Sequence, residues 1–209
     1  MQNRLIKVTT PISKIYEIAA VLKKTEPAPV LFEQIQESDF RVVGNLFCTK
    51  AAFADYFGID LPDIIPTLTQ AIDNRSPGAL VETAPCQEWV NLKPNLEALP
   101  ILRHCRADGG HYISAGVVMT KHPEYGQNAD FHRCMQFSKT EMAMRVVSSR
   151  HFDTYLHELE EIEVAVCVGN SPNVLAAAAM QNVDEMIAFY DATLVPYPFD
   201  KYAQSECEF

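Results

Sequence analysis

The sequence predicts an α+β fold in two parts, a mixed helix-and-strand unit over residues 1–100 and a strand-rich unit over residues 101–209. Three observations carry this reading. Prolines punctuate alternating helical and strand-like patterns in the first hundred residues. From residue 111 onward, three runs rich in β-branched and aromatic residues follow one another with polar turns between them, the pattern of an antiparallel sheet or barrel. The composition, 48% hydrophobic and 21% charged over 209 residues, is that of a globular chain able to bury a sizeable core, unlike a disordered or fibrous one.

Each element has a local reason. Thr10 and Pro11 form an N-cap and first-turn pair for an opening helix in which Ile12, Ile15, Tyr16, Ile18, Ala19 and Leu22 fall at helical spacing. The segments VLFEQI (30–35) and FRVVGNLF (40–47) flank a polar turn and read as a hairpin. Short helices are predicted over Lys50–Phe57 and Asp63–Asp73, the second broken by Ser76-Pro77-Gly78. The proline-bearing stretch NLKPNLEALP reads as a linker and places the boundary near residue 100. Beyond it, HYISAGVVMT (111–120), FHRCMQF (131–137) and MAMRVVS (142–148) are strand-like, DTYLHELEEI (153–162) is helical and EVAVCVG (163–169) is a buried strand. Ser171-Pro172 opens the alanine-rich helix NVLAAAAM, and Asp184-Glu185 opens a last short helix whose first-turn carboxylates suit the helix dipole.

Charge and cysteine usage narrow the function. The net charge of −10 and the absence of a Lys/Arg-rich stripe argue against a nucleic-acid surface. No apolar run reaches the ~20 residues of a membrane span, and the charged N-terminal stretch lacks the form of a secretory signal, so a cytoplasmic protein without membrane insertion is expected. The six cysteines are scattered without a CxxC pair and read as reduced packing residues.

The chemistry concentrates in residues 108–151. Asn128 reads by itself as a turn residue capping a hairpin, Arg133 as half of a surface ion pair and His151 as a histidine at a helix boundary. On a regular strand Asn128 and Arg133, five residues apart, point to opposite faces, and only a bulge or turn at Asn128 brings both to one pocket. Glu185 alone is a helix-terminus carboxylate. Together Asn128, His151 and Glu185 offer an amide oxygen, an imidazole and a carboxylate. That set suits an octahedral, oxygen-preferring ion such as Mg²⁺ or Mn²⁺ with positions left for phosphate or water, and does not suit structural zinc. Separations of 23 and 34 residues mean that only a fold unites them.

The run Asp108-Gly109-Gly110-x-Tyr112, the strand into Thr120-Lys121-His122-Pro123, then Asn128-x-x-x-x-Arg133, Met144-Arg145, Arg150-His151 and Asp184-Glu185 resembles, in order and spacing, the UbiD family of reversible decarboxylases, which use prenylated FMN. The resemblance covers residues 90–209 through specific motifs and the first 90 residues more loosely. It implies that residues 101–209 are part of a split β-barrel flavin-binding domain, incomplete at its C-terminal end. It further implies that Asn128, His151 and Glu185 hold a manganese ion clamping the flavin phosphate. Phe131, His132 and Arg133 match the strand along the cofactor, and Arg133 matches the arginine reaching both flavin and substrate carboxylate. Arg145, Val146, Val147, Arg150 and His151 match the next cofactor-contacting segment. A potassium ion held by backbone carbonyls falls around Ala176 to Ala179.

The implied activity is reversible decarboxylation of an aromatic or α,β-unsaturated carboxylic acid, the small-molecule substrate, by a homo-oligomer or with a partner chain. The chemistry agrees with the residue types. CO₂ loss from an sp² carbon needs an electron sink, which the cofactor supplies, while an arginine orients the carboxylate by a bidentate pair. Two departures stand out. Asp130 replaces a small or neutral residue of the family. QSECEF corresponds to the strand just before the segment that supplies the family's proton-transferring acid, so that acid is expected beyond Phe209. A second reading is therefore a cofactor-binding subunit that needs a partner chain to supply the acid. A third, an FMN-binding split barrel acting as a flavin reductase, leaves Asn128, His151 and Glu185 without a role.

Overall fold

The structure, a computed structural model, describes residues 5–74, 82–148, 150–159 and 161–179. Its first part is organised by a small sheet. Strand β1 (Ile6–Val8) pairs parallel with β2 (Val30–Phe32), and β2 pairs antiparallel with β3 (Val42–Gly44), so the predicted hairpin is present. Val30 and Phe32 are fully buried and pack with Ile12, Ile18 and Ile35 beneath α1 (Glu17–Thr25). Where β3 passes α1 the two segments are close, and a Cβ on Gly44 would require the Leu22 methyl groups to shift.

The opening helix starts later than Thr10-Pro11 predicts. Residues 12–15 make other bonds: Ile12 bridges Ile35, Ile15 bridges Arg103, and the Ser13 and Lys14 amides donate to the carboxylates of Glu17 and Glu37. Ile12 and Ile18 still share one core, which is why their spacing imitated a helix. Tyr16, at φ 66°, turns the chain into α1.

The stretch read as a linker is fastened to both parts. The buried Lys14 ammonium donates to the Glu97 and Leu99 carbonyls, both at 2.9 Å, and burial lowers its pKa against the opposing charges of Glu37 and Glu97. The Leu96 amide donates to the Lys139 carbonyl at 2.8 Å, reaching into the second part. Helix α2 (Lys50–Phe57) has the predicted bounds because Thr49 caps Ala52 N–H and Gly58, at φ 65°, ends it in the left-handed conformation that glycine adopts without penalty. Helix α3 (Ile64–Asp73) follows, and the Ser76-Pro77-Gly78 breaker lies outside the described residues.

The second part holds β4 (His111–Ile113), β5 (Val117–His122), β6 (Gly126–Phe131), β7 (Cys134–Gln136), β8 (Met142–Met144), α4 (His151–Glu158), β9 (Val164–Cys167) and α5 (Pro172–Ala179). They form two antiparallel sheets, ordered β4-β7-β8 and β6-β5-β9. The run predicted as one strand over 111–120 breaks around Gly116, where Ile113 and Val166 crowd the backbone. The run predicted over 131–137 also breaks, between β6 and β7, and β6 begins at Gly126. Helix α4 starts two residues before the prediction and ends four before it, and β9 is half-buried rather than buried because it is the edge of its sheet.

Strand alternation divides the β6-β5-β9 sheet into two faces. On one, Val117, Met119 and Ala129 pack against Val174, Ala177 and Ala178 of α5, with Leu68 and Ala71 of α3 alongside. On the other, Val118 packs with Cys134 and Phe152, surrounded by Met142, Met144, Val164 and Val166. This second face lies between α4 and the β4-β7-β8 sheet, and it carries Asn128 and Asp130. No helix among the described residues is long and apolar enough to cross a membrane.

Gly116→Ala should cost about 1–3 kcal/mol, the usual penalty for overpacking, since a Cβ there would sit 2.7 Å from Ile113 Cγ2 and 3.1 Å from Val166 Cγ1. Urea denaturation of parent and variant measures it, and equal midpoints would show that the two side chains move aside freely.

Candidate functional site

Strands β5 and β6 pair in full register, with Thr120 opposite Asn128, Val118 opposite Asp130 and His122 opposite Gly126. Period two then puts Asn128, Asp130 and, just past the strand, His132 on the face beneath α4. A half-buried strand would ordinarily be apolar there. Instead Asn128 is 2% exposed and its Nδ2 has no partner among the described residues, as is true of Thr120 Oγ1 across the ladder. Asn128 is thus a mid-strand residue, not the turn residue its type suggests. The turn is made by residues 123–125, where His122 Nδ1 accepts from the Glu124 and Tyr125 amides at 3.1 and 3.3 Å, and Gly126 takes a φ of 80°.

Asp130 and His132 are paired. Asp130 Oδ1 lies 2.7 Å from His132 Nε2 as an ion-pair contact, and neither atom makes an aligned hydrogen bond among the described residues. His132 Nδ1 lies 3.0 Å from the Arg145 carbonyl oxygen, and its ring packs on Phe152 of α4 at 4.7 Å between centroids. Both ring nitrogens therefore face acceptors, an environment for the doubly protonated imidazolium. Burial pulls the His132 pKa down and the Arg150 charge does likewise, but the Asp130 carboxylate and the Arg145 carbonyl outweigh them and raise it above the ordinary 6.5.

A histidine whose pKa is raised by folding stabilises the fold fully below its unfolded pKa and loses that contribution as pH climbs through the folded value. Stability should therefore decline as pH rises above about 6.5, and Asp130→Asn should flatten the decline. Denaturant midpoints from about pH 5.5 to about pH 8.5, spanning the histidine range, test this, and identical profiles would remove the pair from the account.

Arg133, next to the buried His132 and past the end of β6, is exposed. Its carbonyl accepts from the Arg145 amide at 3.1 Å. The β7–β8 ladder, ending at Cys134 opposite Met144, thus continues by one position that sets Arg133 opposite Arg145. Both arginines are exposed, and no ion pair engages either guanidinium among the described residues. Two like charges directly opposite on a ladder repel, which favours an anion beside them. Phe131 and Val147 are also exposed and Val146 is half-buried.

His151 is the exposed first residue of α4 and Arg150 its N-cap, with no side-chain cap bond. Because Phe152 touches His132, this helix start is packed against the segment between β6 and β7 that holds Arg133. Of the three residues read as metal ligands, then, Asn128 supplies a buried amide whose Nδ2 has no partner among the described residues, His151 an exposed imidazole on the element packed over the same face, and Glu185 lies outside the described residues. The donors present fit an oxygen-preferring ion. Ala176 to Ala179 lie in α5, across the sheet from the Asn128 side chain, so the predicted potassium segment and Asn128 are on opposite faces.

A second cluster escaped the sequence reading. His122 is buried, stacks on Tyr125 at 4.5 Å and packs on Tyr155 at 4.9 Å, with Nε2 3.5 Å from Glu158 Oε2. Tyr125 donates to Glu158 Oε1 at 3.0 Å. Burial, then the Asp130 charge, raises the Tyr155 pKa. The only sequence signal was the His-Pro-x-Tyr of the hairpin turn.

Comparison with known proteins agrees with this architecture. Residues 79–191 match the family described as 3-octaprenyl-4-hydroxybenzoate carboxy-lyase Rift-related domain, and residues 1–72 match the corresponding N-terminal domain. The chain belongs to the UbiD family. Among relatives, anhydromevalonate phosphate decarboxylase of Methanothermobacter thermautotrophicus is 32% identical over 187 residues, covering 86% of this chain and 44% of that protein. Its counterpart in Methanosarcina mazei is 32% identical over 183 residues, 85% of this chain and 42% of that one. Among solved structures, the UbiD-class enzyme HmfF from Pelotomaculum thermopropionicum in complex with FMN superposes with a TM-score of 0.82 at 26% identity, over 92% of this chain and 46% of that one. Vanillic acid decarboxylase of Sedimentibacter hydroxybenzoicus in its closed form gives 0.80 at 25% identity, over 90% and 45%. This UbiD-family chain spans less than half the length of the curated relatives it matches.

Proposed function

We propose that the chain carries the prenylated-FMN and divalent-metal site of a reversible decarboxylase acting on an aromatic or α,β-unsaturated carboxylic acid. The observation that carries this reading is the adjacent Arg133 and Arg145, neither in an ion pair among the described residues, beside the start of α4. Two guanidiniums and a helix N-terminus favour anionic groups, here the flavin phosphate and the substrate carboxylate. FMN in the HmfF complex and the aromatic acid in the name of the Sedimentibacter enzyme support the cofactor and the substrate class. The evolved dimeric form of HmfF supports an oligomer as the working assembly.

When bound, prenylated FMN supplies the electron sink for breaking the bond to CO₂. The chain's residues have complementary tasks. Asn128 and His151, with Glu185, would hold Mn²⁺ or Mg²⁺, whose charge neutralises phosphate in an otherwise acidic protein. Arg145 and Arg150 would flank the phosphate. Arg133 would hold the carboxylate in two-pronged fashion. Phe131 and Val147, both exposed, would form an apolar wall for the isoalloxazine, with Val146 packed behind them on Val118, Cys134 and Phe152.

The test is purification after co-expression with a prenyl-flavin synthase, followed by an absorption spectrum and metal analysis. One flavin and one Mn²⁺ per chain are expected. Glu185→Gln should lose most of the Mn²⁺ with little change in the fold, because a first-turn carboxylate contributes only ~0.3–1 kcal/mol to its helix. Equal Mn²⁺ in variant and parent would remove Glu185 from the site.

A further inference from the structure

We infer that Asp130 and His132 are positioning residues that hold Arg133 and Arg145 side by side, an inference resting on the reading of those arginines as an anion site. On their exposed side nothing among the described residues restrains the pair, and their charges oppose each other. The restraint comes from beneath. The Arg145 amide is bound to the Arg133 carbonyl at 3.1 Å, and the Arg145 carbonyl faces His132 Nδ1 at 3.0 Å. Regular pairing of β7 with β8 stops at Cys134 and Met144, so beyond it these two contacts hold the Arg145 backbone, next to Val146, which packs on Val118, Cys134 and Phe152.

His132 serves as the second contact only if its ring is fixed. Its outer nitrogen meets Asp130 Oδ1 at 2.7 Å and its face meets Phe152. An apolar residue at 132 would pack on Phe152 yet leave the Arg145 carbonyl unheld. A residue without an acceptor at 130 would leave His132 Nε2 buried and alone. The His132 side chain is 3% exposed and lies on the side of the backbone away from Arg133, so the pair acts through Arg145 rather than on a ligand.

The experiment uses the full chain, with FMN as the probe. Arg145 amide exchange is followed by NMR, and FMN affinity in Mn²⁺ by fluorescence, for Asp130→Ala, Asp130→Asn and His132→Phe. Asp130→Ala and His132→Phe should speed Arg145 exchange and weaken FMN at least roughly tenfold each, a change of ~1.4 kcal/mol. Asp130→Asn, which keeps an oxygen facing Nε2, should recover most of both, a rescue that mere loss of stability would not give. Where Asp130→Ala fails to fold, His132→Gln, able to donate to the Arg145 carbonyl but not to hold Asp130 as well, should be intermediate in both measurements. Unchanged Arg145 exchange overturns the clamp whether or not FMN binds. Faster exchange with unchanged FMN affinity overturns its role at the site. A parent chain that ignores FMN fails the anion-site reading itself, and the positioning role falls with it.

Discussion

Arg133→Lys is expected to lower decarboxylation turnover at least roughly tenfold in an assembly that also carries the proton-transferring acid and is loaded with prenylated FMN, the factor that ~1.4 kcal/mol of lost transition-state stabilisation produces. Arginine presents a planar fork that matches a carboxylate, whereas lysine presents a single strongly hydrated charge. A charge-assisted two-pronged contact is worth more than the ~1 kcal/mol of a neutral hydrogen bond. Net charge opposite Arg145 is unchanged, so the ladder at this position should survive and flavin should stay bound. Steady-state turnover and flavin occupancy are measured together. Unchanged turnover at equal occupancy would return Arg133 to a surface residue.

Asn128→Leu should have opposite effects on stability and on metal content. The Asn128 side chain is buried with its Nδ2 unpartnered among the described residues, and an unsatisfied buried amide costs about 1–3 kcal/mol. Leucine has nearly the same shape and no such cost, so the metal-free variant should be more stable than the parent by an amount in that range. Mn²⁺ retention should fall by an order of magnitude or more, because an aliphatic side chain offers no donor. A structural asparagine would behave otherwise: replacing it would destabilise the fold and leave the metal unchanged. Denaturant titration in chelator, with metal analysis of both proteins, separates the two.

Legibility in the sequence followed the strength of local chemistry. Helix α2 was readable to the residue because Thr49 and Gly58 are strong start and stop signals, and the start of α5 because Ser171-Pro172 opens it. Helix α1 was misplaced because Ile12 and Ile18 face one core from different backbone conformations, and periodicity cannot separate those cases. Strand β6 was missed for a reason tied to function. Asn128, Asp130 and His132 alternate with Ala129 and Phe131, so the strand has period two, but its buried face is polar and lacks the β-branched residues that mark a strand.

The candidate site was legible as residue types and spacing, since Asn128, Arg133, Arg145, Arg150 and His151 stand in ordered motifs. Their environments were not. Burial of Asn128, pairing of Asp130 with His132 and juxtaposition of Arg133 with Arg145 depend on register across β5–β6 and β7–β8, which one sequence does not encode locally. The cluster of His122, Tyr125, Tyr155 and Glu158 joins a turn to a helix about thirty residues away, and no local pattern announces such a contact.

The central claim is that this chain binds a flavin phosphate through a divalent ion and an arginine pair. The most direct measurement is FMN fluorescence titrated with the protein in Mn²⁺ and again in chelator. Binding should be at least roughly tenfold tighter with Mn²⁺, a difference of ~1.4 kcal/mol, and Arg145→Ala should weaken it in both conditions. FMN binding that is absent, or equal with and without Mn²⁺ and indifferent to Arg145, would contradict the account.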